Sequence, residues 1–366
     1  MRFPDLRRHP WWLRIGLVLV SVTATAQPGT ITGRVVDAAT GDALPGVNVF
    51  LSQTTRGAAT DTDGRFTIAR IPEGEYVLVA SMLGYERVEQ PVRAGAPLDL
   101  EIRLREVTSR MGEARVVSTI DRRWRRHLRR FERLFFGPTP RGRRCRFLNP
   151  EVLDFTEPRG AFVASARAPL VFENEALGYR VTYVLDRFRA DGETVMFGGY
   201  PRYEDLDGDD CQRDRWQTER AKAYRGSVQH FLRALATRSA GAEGFDAYVL
   251  PDLDVPRGRP AGPAFVPRVA FDSLLTWGSS GPELTFEGVL HVEYTRERPR
   301  RDFPQARGWA SQDHQHSALT LHAPSVPFDP LGHFYQPYLT QRYGYWSWEG
   351  HIGDLLPLDY RLPPDL

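Results

Sequence analysis

The sequence predicts a mainly β protein: an N-terminal antiparallel β-sandwich followed by an α+β region with an antiparallel sheet and a few helices. Three observations predict it. Residues 29 to about 107 consist of short runs of alternating apolar residues, punctuated at close intervals by Gly, Pro and Asp, the pattern of strands joined by tight turns. Two later segments repeat apolar residues at helical spacing. Between and after those segments lie further alternating runs.

The chain opens with Arg2, Arg7, Arg8 and Arg14 ahead of the apolar run 15–22, which closes on Ala24, Thr25 and Ala26. A basic head, a short apolar core and a small-x-small site read as a secretory signal peptide over 1–26. An exported protein of the periplasm or outer-membrane periphery is therefore expected. The run is shorter than the roughly 20 residues a spanning helix needs, so no transmembrane span is expected in the mature chain. Of 48 basic and 46 acidic residues, four arginines belong to this leader, and the remainder is near neutral. Nothing global attracts nucleic acid.

In the sandwich segment, Thr40 with Gly41, Pro45 with Gly46 and Asp63 with Gly64 supply the fixed or positive φ angles that reverse a chain. Phe66, Ile68 and Ile71, with Tyr76, Leu78 and Ala80, are the expected inward faces. "GRVVDAATGDALPGVNVFL", "TDTDGRFTI" and "GEYVLVASMLGYE", in that order, closely resemble the carboxypeptidase regulatory-like domain. The resemblance covers about 30 to 107 and implies a transthyretin-like, seven-stranded sandwich with a carbohydrate-binding-like fold. It also implies a bacterial envelope setting, where such domains often precede TonB-dependent transporters; no long series of amphipathic barrel strands follows here. The expected organisation is signal peptide 1–26, sandwich 27–118 and α+β domain 119–366.

Two enzyme readings attach to this resemblance, and the residues oppose both. None of the nine histidines has Glu three positions on, so the zinc pair of a metallocarboxypeptidase is missing. The related hydroxyisourate hydrolases end in Tyr-Arg-Gly-Ser; here Tyr224, Arg225, Gly226 and Ser227 fall within a helical pattern far from the sandwich, and Arg34 stands where their opening histidine would be. No catalytic residue and no cofactor is expected.

Beyond the sandwich, a short strand is expected at 114–118, then a helix with Trp124, Leu128, Phe131 and Phe135 in one apolar stripe. Eleven arginines lie between Asp121 and Arg146 against Asp121 and Glu132. Arg122, Arg125, Arg126, Arg129 and Arg130 are thus candidates for contact with an anionic surface. The favoured alternative packs the stripe on a sheet while arginines meet Glu204, Asp205, Asp207, Asp209 and Asp210. A second helix is expected through Tyr224, Val228, Phe231 and Leu235, and a hairpin at Asp191 and Gly192, with Val181, Tyr183 and Leu185 facing inward. The pieces "CRFLNPEVLDF", "ENEALGYRVTYVLDRF" and "GYWSWEGHIGDLLPLDY" are similar to those of exported proteins bearing the same sandwich.

Few residues in this region point to chemistry. Cys145 and Cys211 are candidates for a disulfide, which would add roughly 4 kcal/mol in a chain-entropy model. "YEDLDGDDC" lacks the Gly position and distal Glu of a calcium loop. In "SQDHQHSALTLH", strand alternation puts His314, His316 and His322 on one face near Asp313, a weak metal candidate. Tyr343, Tyr345, Trp346 and Trp348 are either core or a stacking platform for sugar. The expectation is a non-catalytic envelope protein that binds another envelope protein or a glycan, with a metal-dependent hydrolase, a metal-binding protein or a peripheral anionic-membrane binder as alternatives.

Overall fold

The computed structural model describes residues 29–107, 120–192, 194–251, 253–254, 259–260, 266–278, 281–304 and 313–366. The leader and the strand expected at 114–118 lie outside the described residues. Among those residues, no helix is long and apolar enough to cross a membrane.

Seven strands build the N-terminal sandwich: β1 (Gly29–Asp37), β2 (Asn48–Leu51), β3 (Gly57–Ala59), β4 (Arg65–Ile71), β5 (Gly74–Ser81), β6 (Val88–Ala94) and β7 (Leu98–Leu104). One sheet runs β4-β1-β7, with β1 and β7 parallel, and the other β3-β2-β5-β6. The six expected inward residues are all buried. Ile71 breaks strict alternation after Phe66 and Ile68, and a bulge explains it: Arg70 adopts φ +57° where the β1 to β4 register shifts, returning Ile71 to the core side. Gly33 has a packing role, since a Cβ there would stand 2.2 Å from the Leu100 carbonyl oxygen and 2.8 Å from the Phe66 ring.

The next layer is a six-stranded sheet of β8 (Cys145–Phe147), β9 (Leu153–Thr156), β10 (Phe162–Ala166), β11 (Leu170–Asn174), β12 (Tyr179–Asp191) and β13 (Thr194–Asp205). The β12–β13 hairpin turns at Gly192, φ +58°. Helix α1 (Arg122–Phe136) starts at Asp121, whose side chain accepts from the Trp124 amide. Its stripe packs on this sheet: Phe131 lies 4.7 Å from Phe188 and Phe135 5.1 Å from Tyr183, both edge to face.

The expected second helix is two helices. Asp209 caps α2 (Asp210–Tyr224) through a capping box with Gln212, and Ser227 caps α3 (Val228–Ala236). Between them Gly226 takes φ +71°, so the Tyr-Arg-Gly-Ser tetrapeptide forms the break between helices. Helix α3 covers a four-stranded sheet of β14 (Phe245–Leu250), β19 (Val289–Tyr294), β20 (Gln315–Leu321) and β23 (Thr340–Gly344). The minor pair β15 (Leu253–Asp254) and β16 (Arg259–Pro260) precedes a further sheet of β17 (Leu275–Gly278), β18 (Gly281–Leu284), β21 (Val326–Asp329) and β22 (His333–Phe334). Helix α4 (Tyr345–Trp348) follows β23.

The C-terminal tail returns to the sandwich. Leu331 and Leu358 enter its core beside Ile71, Tyr76 and Leu78, and Phe50 and Val79 pack against Val184 of β12. The Leu358 amide donates to the Gln53 carbonyl oxygen at 2.7 Å, and the Gln53 amide donates to Pro201 at 2.6 Å. Arg87 pairs with Asp186 at 2.6 Å, so apolar, backbone and ionic contacts all join the two parts.

Candidate functional site

The chemistry-bearing side chains fall into three places. The first is on the β14-β19-β20-β23 sheet. Register sets Glu293 of β19 directly opposite His316 of β20, and alternation along β19 puts His291 on the same face as Glu293. His291 Nε2 and His316 Nδ1 are 3.1 Å apart, and Glu293 Oε1 lies 3.6 Å from the first and 3.5 Å from the second. His291 is buried and the other two are partly buried. Its interaction with His291 holds the Glu293 carboxyl below the ordinary carboxylate range, against the opposing effect of burial, and the His316 and His314 imidazoles act in the same direction as His291. Burial pushes the His316 imidazole down to about 4. The Tyr248 ring stands edge-on to His291 at 6.0 Å, and the neighbouring Asp246 is engaged by Arg268 at 2.9 Å.

Of the histidines expected to share a face, only His316 belongs to this group. His314 is near enough to act on it electrostatically. His322, at the far end of β20, is exposed, and Asp313 faces Arg298 at 3.5 Å. Strand alternation within β20 pointed to the right face, but the missing partners sit on β19. Their signal was the "HVE" of "GVLHVEY", two polar residues at alternate positions in an otherwise apolar strand.

The second place is the outer face of α1. Arg122, Arg125, Arg126 and Arg129 are exposed and Arg130 is half-buried. Arg123 and Arg130 meet Glu157 at 3.5 and 3.2 Å, and the edge of the His127 ring reaches the same carboxylate. A cleft of about 560 Å³ is lined by five arginines, His127 and Glu157. Four of the five acids expected to neutralise this helix are used elsewhere: Glu204 on Arg202, Asp205 on Arg220, Asp210 on Arg213, and Asp209 as the α2 cap. They belong to the α2 end of the sheet because residues 204–210 run straight from β13 into that helix.

The third is a buried ionic knot. Arg141 Nη1 reaches Glu349 at 3.1 Å and Asp354 at 3.0 Å, and the Thr139 hydroxyl donates to Asp354 at 2.8 Å. Burial pushes Asp354 up to about 7 although Arg141 pulls the other way. Cys145 lies close by, its thiol donating weakly to the Arg141 carbonyl oxygen at 3.6 Å, and it is free. Cys211, also free, is exposed in the first turn of α2. The expected disulfide is not formed: Cys145 is partly buried against the α1 core, whereas Cys211 faces solvent. Most of the aromatic tail is likewise core: Tyr345, Trp346 and Trp348 are buried, Tyr343 is half-buried, and Trp346 Nε1 donates to the Gly226 carbonyl oxygen at 2.7 Å.

With this geometry in place, comparison with known proteins identifies the sandwich. Residues 31–117 match the CarboxypepD_reg-like domain. This regulatory-like domain is 40% identical over 75 residues to a TonB-dependent receptor, P39, of Formosa agariphila, covering 20% of this chain and 7% of that protein. It is 39% identical over 77 residues to the TonB-dependent receptor SusC of Bacteroides thetaiotaomicron, covering 21% and 7%. The chain thus spans 7% of the length of these relatives. Among solved structures, a type II cohesin-X-dockerin complex from Acetivibrio cellulolyticus aligns at 23% identity over 21% of this chain and 56% of that one, with TM-score 0.19. The pilus 2b backbone protein of group B streptococcus aligns at 22% identity over 22% and 42%, with TM-score 0.20.

Proposed function

We propose that this protein works in the cell envelope as a non-catalytic binding or scaffolding protein, its regulatory-like domain contacting another envelope protein or a glycan. The observation that carries this reading is how the domain spends its polar motif residues. Asp37 Oδ1 accepts from the Ala39 and Thr40 amides, and Asp61 Oδ1 accepts from the Asp63 and Arg65 amides. Gly41, Gly46 and Gly64 hold positive φ. The motif residues therefore serve to close turns and hold backbone amides. The leader-like residues 1–26 and the match to two receptors support an envelope location.

Leu83, at a turn tip, is 81% exposed, and the Gly84 carbonyl beside it accepts from the amide of exposed Val107. A photoreactive residue at Leu83 is expected to give discrete adducts with envelope material, whereas one at exposed Met196 of β13 gives none. Absence of adducts from Leu83, or turnover of an ester, peptide or glycoside that survives purification and vanishes with one polar substitution, would overturn the reading.

The exposed arginines of α1 favour a second role, peripheral attachment to anionic surface. Glu157 is the acid facing the cleft, which leaves most of the positive charge unneutralised.

A further inference from the structure

We propose that His291, Glu293 and His316 bind one divalent transition-metal ion of the zinc class. The three donor atoms form a triangle with sides of 3.1, 3.6 and 3.5 Å. A point equidistant from them lies roughly 2.0 Å from each, so an ion with Zn–N and Zn–O bonds of about 2.0–2.1 Å rests slightly above the triangle, as on one face of a tetrahedron. Without an ion, His291 Nε2 and His316 Nδ1 share a hydrogen bond at 3.1 Å, and metal binding releases that proton.

The backbone specifies this arrangement. Glu293 and His316 are cross-strand partners in the middle of a four-stranded sheet, and His291 follows from alternation on the same strand. Three donor atoms converge on one another, and Arg268, which interacts electrostatically with Glu293, is itself committed to Asp246 and to the Tyr248 hydroxyl.

The donor set also selects the ion. Two imidazoles and one carboxylate suit zinc, cobalt or ferrous iron; calcium and magnesium want oxygen donors, and copper(I) wants sulfur. Three protein ligands leave a fourth position for water or a further donor. The ion would staple β19 to β20.

The test uses the full chain, dialysed free of metal and titrated with zinc chloride. One equivalent is expected to bind, with a rise in melting temperature, and cobalt(II) is expected to give the visible absorption of a four-coordinate site. Glu293→Gln and His316→Ala are expected to weaken zinc binding at least tenfold, and Asp313→Asn to leave it unchanged because Asp313 faces Arg298. Circular dichroism of each variant separates lost binding from lost folding; should His316→Ala unfold, the near-isosteric Glu293→Gln together with the cobalt spectrum of the wild type decides. Less than a tenth of an equivalent bound, a purely octahedral cobalt spectrum, or binding indifferent to Glu293→Gln in a folded protein would overturn the proposal.

Discussion

Asp359, in the C-terminal tail, holds Thr55 and Arg56 of the sandwich: its carboxylate accepts from the Thr55 amide at 3.0 Å and from the Thr55 hydroxyl, and pairs with Arg56 at 3.2 Å. The Asp359 side chain is only 3% exposed, so these partners replace water almost completely. Through this contact the regulatory-like domain is held against the rest of the chain.

Asp359→Ala should therefore destabilise the protein by about 2 kcal/mol, since hydrogen bonds to a charged, buried group contribute about 1.5–3 kcal/mol each and the apolar contacts of Leu358 remain. Urea denaturation of wild type and variant measures it. A change below about 0.5 kcal/mol would mean that the carboxylate is solvated in solution.

The Arg141 knot should behave asymmetrically. Arg141→Ala leaves Glu349 and Asp354 buried without their cation and is expected to cost about 3–5 kcal/mol. Removing all three charges together with apolar residues of similar size should cost much less. A double-mutant cycle of Arg141→Met with Asp354→Leu gives the coupling directly.

The same knot predicts a pH dependence. Asp354 titrates at about 7 in the folded chain and near 4 when unfolded. The folded state then binds the extra proton between those values, so stability from this group is highest at the acid end of that window and falls as pH rises through about 7. Denaturant midpoints of wild type and Asp354→Asn between pH 5 and 8 should show the slope in the first and its loss in the second.

On α1, Arg125→Glu with Arg129→Glu is expected to change stability by less than about 0.5 kcal/mol, because both side chains are exposed. Flotation with vesicles rich in anionic lipid should detect binding by the wild type that falls with salt and is lost in the reversed variant. Salt-independent flotation of both proteins would remove the peripheral role.

Much of the fold was legible because local rules and tertiary packing agree. Gly64 and Gly192 marked their turns, and the α1 stripe was fixed by helical spacing alone. What stayed hidden depends on register between distant segments. Glu293 and His316 are 23 positions apart and meet only because β19 and β20 pair as they do. Likewise, nothing in Leu358 or Asp359 as letters says that the tail folds back onto Gln53, Thr55 and Arg56. The break at Gly226 was masked by apolar spacing that continues unchanged across it.

The sandwich and the remainder act as one locked body, joined by the apolar, backbone and ionic contacts of the tail and β12–β13. Hydrogen exchange on wild type and Leu358→Asp tests it, since a charge at this buried position must open the tail contact. Amides of β2 and β5 should lose protection together with those of the β12–β13 hairpin. Unchanged protection across β2 and β5, with exchange rising only in the tail, would contradict it.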